Sequence, residues 1–290
     1  MAEQPKQIRK RIKSVSSTKK ITRTMEMVST AKLKSAQARV QSSGPYLEQL
    51  RNLMREIGGS GVDISKWPQF EQREGKRTLL FVLTANRGLC GAYNANLIKM
   101  GRRVYEEKKA AGHDVRLVVG GRKGILAMRY QGVQVDEAYA DELNDKPTPK
   151  DADFFLERLV GPFLKNEIDE VLVVYSHWVT PGRQPPTTLR FLPIAPEDAG
   201  ETTGVVPIFE PSAEQILDHL LPLYLRQTLY SVLAEAIASE HVSRRMAMKL
   251  ATDNATEMVT NLTRQYNRAR QALITKELSE ILGGAEALNS

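Results

Sequence analysis

The chain has 290 residues, 41% apolar and 26% charged, enough for one large domain or two ordinary ones, and that balance excludes global disorder. Its formal charge is +7 at pH 7. The single cysteine, Cys90, excludes a disulfide within the chain and suits a reducing compartment.

Met1-Ala2-Glu3-Gln4-Pro5 is polar and lacks the apolar core of a signal peptide. From residue 6 to residue 43, 38 residues contain neither proline nor glycine, the two residues that stop helices. Eleven Lys or Arg stand there against one acid, Glu26, for a net +10. An arginine-rich, acid-poor start also describes a transit peptide, but the apolar spacing favours a patterned helix. Ile8, Ile12 and Val15, then after a slip Ile21, Met25 and Val28, follow the 4-3 spacing of a coiled-coil seam. The basic face is either simply solvated or meets something acidic: nucleic acid, anionic lipid or an acidic protein surface. After Gly44-Pro45 the helix either ends or continues through residues 46–57.

Residues 58–76 are loop-like, with Gly58-Gly59-Ser60-Gly61 and Gly75. Residues 78–83 form a buried apolar strand, followed by the glycine loop Asn86-Arg87-Gly88-Leu89-Cys90-Gly91 and a helix from about Tyr93. The unit repeats as strand 115–119, loop 120–124 and helix 125–130. Helix 152–165 precedes strand 171–175, and strand 188–192 returns antiparallel after Pro181-Gly182. This alternation predicts a small, mostly parallel, Rossmann-like α/β sheet. The loop at Gly88–Gly91 lies where phosphates often bind, but it is not G-x-G-x-x-G, and no G-x-x-x-x-G-K-[ST] occurs anywhere. A plain tight turn is the favoured reading. The four histidines lack a second ligand at metal spacing, and Ser239-Glu240-His241 cannot form a triad, because adjacent helical positions diverge by about 100°. Cys90 reads as a small buried residue rather than a nucleophile. No catalytic, metal or cofactor residue is assigned.

Residues 194–212, rich in Pro, Gly and acids, read as a connector. A second stretch without Pro or Gly runs from 223 to 282, 60 residues with a net +2, leaving −5 on the rest of the chain. At 1.5 Å per residue the two stretches make helices roughly 57 and 90 Å long. Ala255, Val259, Leu262, Tyr266, Ala269 and Leu273 form a heptad seam, and Leu225, Leu229, Val232 and Ala236 repeat it before a slip near Ser239 and Ser243. The expected fold class is α/β plus a long antiparallel coiled coil, with the α/β domain inserted between the two terminal helices. The expected divisions are 1–57 (helix), 58–77 (linker), 78–193 (α/β domain), 194–222 (connector) and 223–290 (helix). The longer helix overhangs the shorter by about 22 residues, so its tip, from about Asn261 to Leu282, carries an apolar seam without a partner in the chain.

At the two helices the sequence resembles a known family. I-R-K-R-I-K-S-V-x-x-T-x-K-I-T-x-x-M-x-M-V-x-x-A-K-L at 8–33 looks like the start of the gamma subunit of F-type ATP synthase. S-E-H-x-x-R-x-M-A-M-K-x-A-T-D-N-A at 239–255 and Y-N-x-A-R-Q-A-x-I-T-K-E-L-S-E-I-x-G-G-A at 266–285 look like its end, and Arg87-Gly-Leu-Cys-Gly91 also matches. Residues 44–75 and 131–212 match only loosely. The resemblance implies a non-catalytic rotor shaft inside a ring of three alpha and three beta subunits. The shaft would contact the epsilon subunit and the membrane c-ring, with the chemistry on beta. It implies that Met27, with Lys20 and Arg23 nearby, faces an acidic loop of beta. It places Arg270, Gln271 and Thr275 against a beta loop, and Glu277, Leu278 and Ile281 in the apolar sleeve at the top of the ring. Arg244 and Arg245 would be gripped at the serine-rich gap of the seam. A single cysteine departs from chloroplast-type gamma subunits, which carry a regulatory pair, and the reading favours a bacterial enzyme, peripheral on the cytoplasmic face of the cell membrane. Two rivals stand beside it: a basic helical arm that grips nucleic acid, against which the lack of aromatic residues in 6–43 counts, and a Rossmann-like enzyme with an oligomerising coiled coil.

Overall fold

A computed structural model describes residues 4–60, 62–195 and 209–289. Most of the expected connector, residues 196–208, lies outside the described residues. The chain divides into two compact units, one made of residues 1–29 and 245–290, the other of residues 30–244.

Two helices dominate. α1 spans Pro5–Gly59, 55 residues, and passes through Gly44 and Pro45 without ending. α5 spans Ala213–Asn289, 77 residues, with Pro222 inside it. It therefore starts ten residues before the expected start at 223, within the segment read as a connector. Its opening turn has a polar start, Ser212 Oγ accepting from Gln215 N–H at 3.2 Å, and Leu217, Leu220 and Leu221 are buried there.

The seam of α1 differs from the expected one. Ile21 and Val28 are 60% and 51% exposed. The inward positions are Ile8, Ile12, Val15, Lys19, Thr22, Glu26 and Ser29 in the first unit, and Leu33, Ala36, Val40, Ser43, Leu47, Leu50, Met54 and Ile57 in the second. That is one uninterrupted 4-3 series. The expected slip came from following apolar residues where the heptad passes through polar ones.

Within the first unit, α1 and α5 lie side by side. The Thr252 hydroxyl donates to Thr22 Oγ1 at 2.9 Å, and the Thr22 hydroxyl passes its own hydrogen to Lys19 C=O at 3.1 Å. Within the second unit, Gln227 Nε2 donates to Ser43 C=O at 3.3 Å. Within the first unit α5 loses its cover past Ala269, where α1 begins at Pro5, so the pair there is antiparallel.

The second unit holds a five-stranded sheet in the order β3-β2-β1-β4-β5, with β1 Arg77–Leu83, β2 Asp114–Gly120, β3 Glu137–Tyr139, β4 Glu170–Ser176 and β5 Pro186–Leu192. All pairings are parallel except β4 with β5. β3 has no counterpart in the sequence reading, because three residues, two half-buried and one exposed, carry too little apolar signal. Alternation on β1 builds two cores: Leu79, Phe81 and Leu83 face α4 (Pro149–Leu164), α1 and α5, while Leu80 and Val82 face α2 (Tyr93–Ala110) and α3 (Arg122–Tyr130).

Candidate partner-contact surface

The glycine loops of the sheet are structural. Gly121 adopts φ +94°, and a Cβ there would lie 2.2 Å from the Thr84 carbonyl oxygen, so glycine lets α3 start directly against the end of β1. The first N–H groups of α3, where a phosphate would sit, are already taken: Arg122 N–H by Asn86 Oδ1 at 3.0 Å, Lys123 N–H by Ala85 C=O at 3.2 Å, and Gly124 N–H by Thr84 Oγ1 at 2.9 Å. The loop at 86–91 receives α5 instead. Arg244 Nε and Nη2 donate to the carbonyls of Gly88 and Arg87, both at 3.3 Å, and Nη2 pairs with Glu240 at 2.6 Å. Tyr93 donates to Ala236 C=O at 3.0 Å. Cys90 is buried below, accepting from Asn94 Nδ2 at 3.1 Å, and burial pushes its thiol pKa up.

Arg244 is therefore not a surface group. It and Glu240 are both buried, the first 7% and the second 5% exposed, so the guanidinium is held by groups of its own chain. Burial pushes the Glu240 carboxyl pKa up, against the attraction of Arg244. Next to them His241 is 2% exposed, and neither ring nitrogen has a hydrogen-bond partner. Desolvation lowers its pKa to about 4, opposed by Asp145, which itself pairs with Lys32 of α1. Arg245 is half-buried and belongs to the other unit.

The remaining expected residues are exposed. Lys20, Arg23 and Met27 lie along one outward stripe of α1, spaced three and four apart, and neither cation forms an ion pair among the described residues. Ile21 and Val28 on α1, and Met246, Leu250 and Met258 on α5, add apolar surface that sequence reading had counted as seam or passed over. The heptad running unbroken through Lys19, Thr22 and Ser29 is the signal that places Ile21 and Val28 outside. On α5, Leu262 is buried and Tyr266 and Ala269 are half-covered, whereas every residue from 270 to 282 is exposed. The uncovered tip thus begins at Arg270 rather than near Asn261. The reason is register: with Thr22 opposite Thr252, the start of α1 at Pro5 falls opposite Ala269. The tip carries Arg270, Gln271, Thr275 and Glu277 together with Leu273, Ile274, Leu278, Ile281 and Leu282, of which Leu278 is 55% and Ile281 67% exposed. Among the described residues no group of three or more His, Cys, Asp or Glu could hold a metal ion. No described helix is long and apolar enough to cross a membrane.

Two very long helices, one with an uncovered apolar end, in a chain whose other unit holds an α/β sheet, are the features of a stalk-type protein. Residues 4–288 match the family model described as ATP synthase. The chain is 39% identical over 288 residues to an ATP synthase gamma chain of Leptospira biflexa, covering 98% of this chain and 99% of that one. It is 43% identical over 286 residues to one of Gemmatimonas aurantiaca, covering 98% of both. The fold is that of chains in solved assemblies of the Euglena gracilis mitochondrial ATP synthase. One, described as OSCP/F1/c-ring, gives a TM-score of 0.69 at 19% identity, over 98% of this chain and 94% of that one. Another, described as the rotor, gives 0.64 at 18% over 93% and 98%. The chain belongs to the ATP synthase gamma chain family.

Proposed function

We infer that the chain is the central rotor shaft of an F-type ATP synthase, coupling ion flow through a membrane ring to ATP synthesis and hydrolysis on beta subunits. One observation carries this at the level of geometry. Past Ala269 a continuous helix runs on without its intrachain partner, exposing a stripe of five large apolar residues. A stripe of that kind needs a foreign sleeve. The apolar tip fits the top of a ring of three alpha and three beta subunits, and the basic face at Lys20 and Arg23 fits acidic loops of beta, with Met27 beside them. Arg270, Gln271 and Thr275 fit a beta loop at the base of the tip. The α/β unit and its neighbouring helices meet the epsilon subunit and the c-ring.

The chain performs no chemistry in this reading. A single asymmetric rod in a threefold ring touches three identical sites differently, and so biases each site's conformational equilibrium. Driving a two-state site from 1:99 to 99:1 takes about 5.5 kcal/mol of differential contact. Exposed cations and an apolar tip supply such contacts while leaving them breakable at each step. The location is peripheral, on the cytoplasmic face of a bacterial membrane. Native purification from membranes through a tag on this chain tests the reading: alpha and beta subunits co-purify in equal number, and their absence would overturn it.

A further inference from the structure

The chain runs from β1 to β2 and β3 on one side of the sheet, then returns to β4 on the other side of β1. At such a reversal the C-terminal ends of the strands leave a crevice, the place where doubly wound sheets hold their ligands. A cavity of about 350 Å3 lies there, wholly within the second unit and in the size range of small-molecule sites. The end of β1, the first half of α4 and one face of α5 wall it. Leu83, Phe155, Leu233 and Ile237 supply the apolar surface, and Glu240 is the buried acid among them.

Most polar groups around the cavity are already satisfied. The Thr84 hydroxyl and the Asn86 amide are taken by backbone groups, and the Tyr93 hydroxyl by Ala236 C=O. Asp151 accepts from its Thr148 cap and from Asn144, and Arg122 pairs with Asp141 at 2.6 Å. Against the desolvation that would raise it, Lys32, with Arg87 adding its charge, holds the Asp145 carboxyl below the usual range. Two carboxylates are left over. Glu142 is half-buried and has no partner among the described residues. Glu240, 5% exposed, accepts from Arg244 Nη2 through one oxygen, and its other oxygen accepts no hydrogen bond among the described residues. A buried carboxylate oxygen without a donor calls for one, and between apolar walls a positively charged donor gains most. Burial already disfavours the ionised form of Glu240, which a cation beside it would restore. The cavity gives a phosphate no cradle, because the first N–H groups of α3 are occupied.

We propose that this cavity binds a small organic cation, a primary amine on an aromatic or branched apolar body, with its ammonium on Glu240 and Glu142 and its body against Leu83, Phe155, Leu233 and Ile237. The site stands whether or not the chain turns inside a ring, since every group in it belongs to the second unit. An occupant would tie α4 and α5 to the end of β1 and so stabilise the folded chain by mass action.

The test titrates the full-length chain with tryptamine and 2-phenylethylamine by calorimetry and by thermal shift. Tryptophol, which carries a hydroxyl in place of the ammonium, and indole-3-acetate, which carries a carboxylate, are the controls. At least one amine is expected to bind and to raise the melting temperature, about tenfold more tightly than tryptophol binds, with indole-3-acetate not binding. The chain carries +7, so general attraction to its surface would favour indole-3-acetate instead. Glu240→Gln and Glu142→Gln are each expected to weaken the amine about tenfold, and Ile237→Trp, which fills the cavity, to abolish its binding. Glu240→Gln also takes away the charge that Arg244 pairs with, so Glu142→Gln and Ile237→Trp carry the test if that variant does not fold, with circular dichroism as the check. Failure of both amines to bind, equal binding of tryptophol or indole-3-acetate, or amine binding that survives both Glu142→Gln and Ile237→Trp would overturn the proposal.

Discussion

Thr22 of α1 and Thr252 of α5 meet hydroxyl to hydroxyl at 2.9 Å on the buried side of the helical pair. The Thr22 hydroxyl gives its hydrogen to the Lys19 carbonyl at 3.1 Å, and the one hydroxyl hydrogen of Thr252 is shared between Thr22 Oγ1 and the Met248 carbonyl at 2.8 Å. A seam built on such contacts has a fixed register. Leucines slide past one another with little loss, whereas displacing this pair breaks the hydroxyl–hydroxyl contact and leaves each hydroxyl only the carbonyl of its own helix.

That arrangement makes a double-mutant prediction. Thr22→Val or Thr252→Val alone is expected to destabilise the chain by about 1 kcal/mol, because the surviving hydroxyl keeps only its intrahelical acceptor. The double replacement should recover most of the loss, since both polar groups are then gone and the volume is kept. Urea unfolding of the three variants measures the coupling, and strict additivity would mean that the hydroxyls do not interact.

The same contact explains what the sequence concealed. Apolar spacing and Pro/Gly punctuation identified two long helices and the succession of strands and helices, and the attachment of both helices to one inserted domain implied their antiparallel relation. It misplaced the seam of α1, because Ile21 and Val28 fit a heptad locally while the true series runs through Lys19, Thr22 and Ser29. Burial on a stalk is a property of the facing helix as much as of the residue. The starting point of α5 was hidden by Pro222, which in sequence reads either as the start of the helix or as a kink near its start, and which the helix passes through, and β3 was too short to carry a pattern. Arg244 was legible as a charge but not as a buried one, since its partners, the carbonyls of Arg87 and Gly88, lie more than 150 residues away.

Arg244 makes the second prediction. With Arg244→Met, Glu240 stays buried without its cation, and a loss of about 3–5 kcal/mol is expected. The loss depends on pH in a defined direction. Burial already raises the Glu240 pKa, and removing the cation raises it further. A carboxyl whose folded pKa lies above its unfolded one loses stability as pH rises between the two values. The variant should therefore be closest to the parent in mild acid and furthest from it at neutral pH. The Glu240→Leu/Arg244→Met pair should be much more stable than the single variant. A pH-independent loss in unfolding measurements would sink the account.

His241 gives the opposite dependence. Its folded pKa is about 4 against 6.5 in the open chain, so the unfolded state binds the extra proton between these values. The stability tied to the neutral ring is complete above pH 6.5 and is lost as pH falls toward 4, about 3 kcal/mol in all. Replacement by leucine should remove this slope while leaving the acidic groups to titrate as before. Unfolding free energies at about pH 7.5, 6 and 5 check it. A parent and a His241→Leu variant with the same slope would show that the ring stays neutral in both states or in neither.

The tip separates folding from coupling most cleanly. Leu278 and Ile281 are exposed and lie beyond the last position that α1 covers. Their replacement by aspartate should change the stability of the isolated chain by less than about 0.5 kcal/mol, since both side chains are exposed among the described residues. In the assembled enzyme the same two carboxylates would enter an apolar sleeve, where an unpaired charge is strongly disfavoured. Assembly or coupled ATP synthesis should fall, while hydrolysis by whatever head complex forms persists or becomes uncoupled. Deleting residues 271–290 should reproduce that loss, and Lys20→Glu/Arg23→Glu should weaken coupling through a different set of contacts, with a stronger dependence on ionic strength. If the aspartate pair and the deletion both leave ion-driven ATP synthesis unchanged, the tip is not a bearing, and the shaft must be steered by the basic stripe alone.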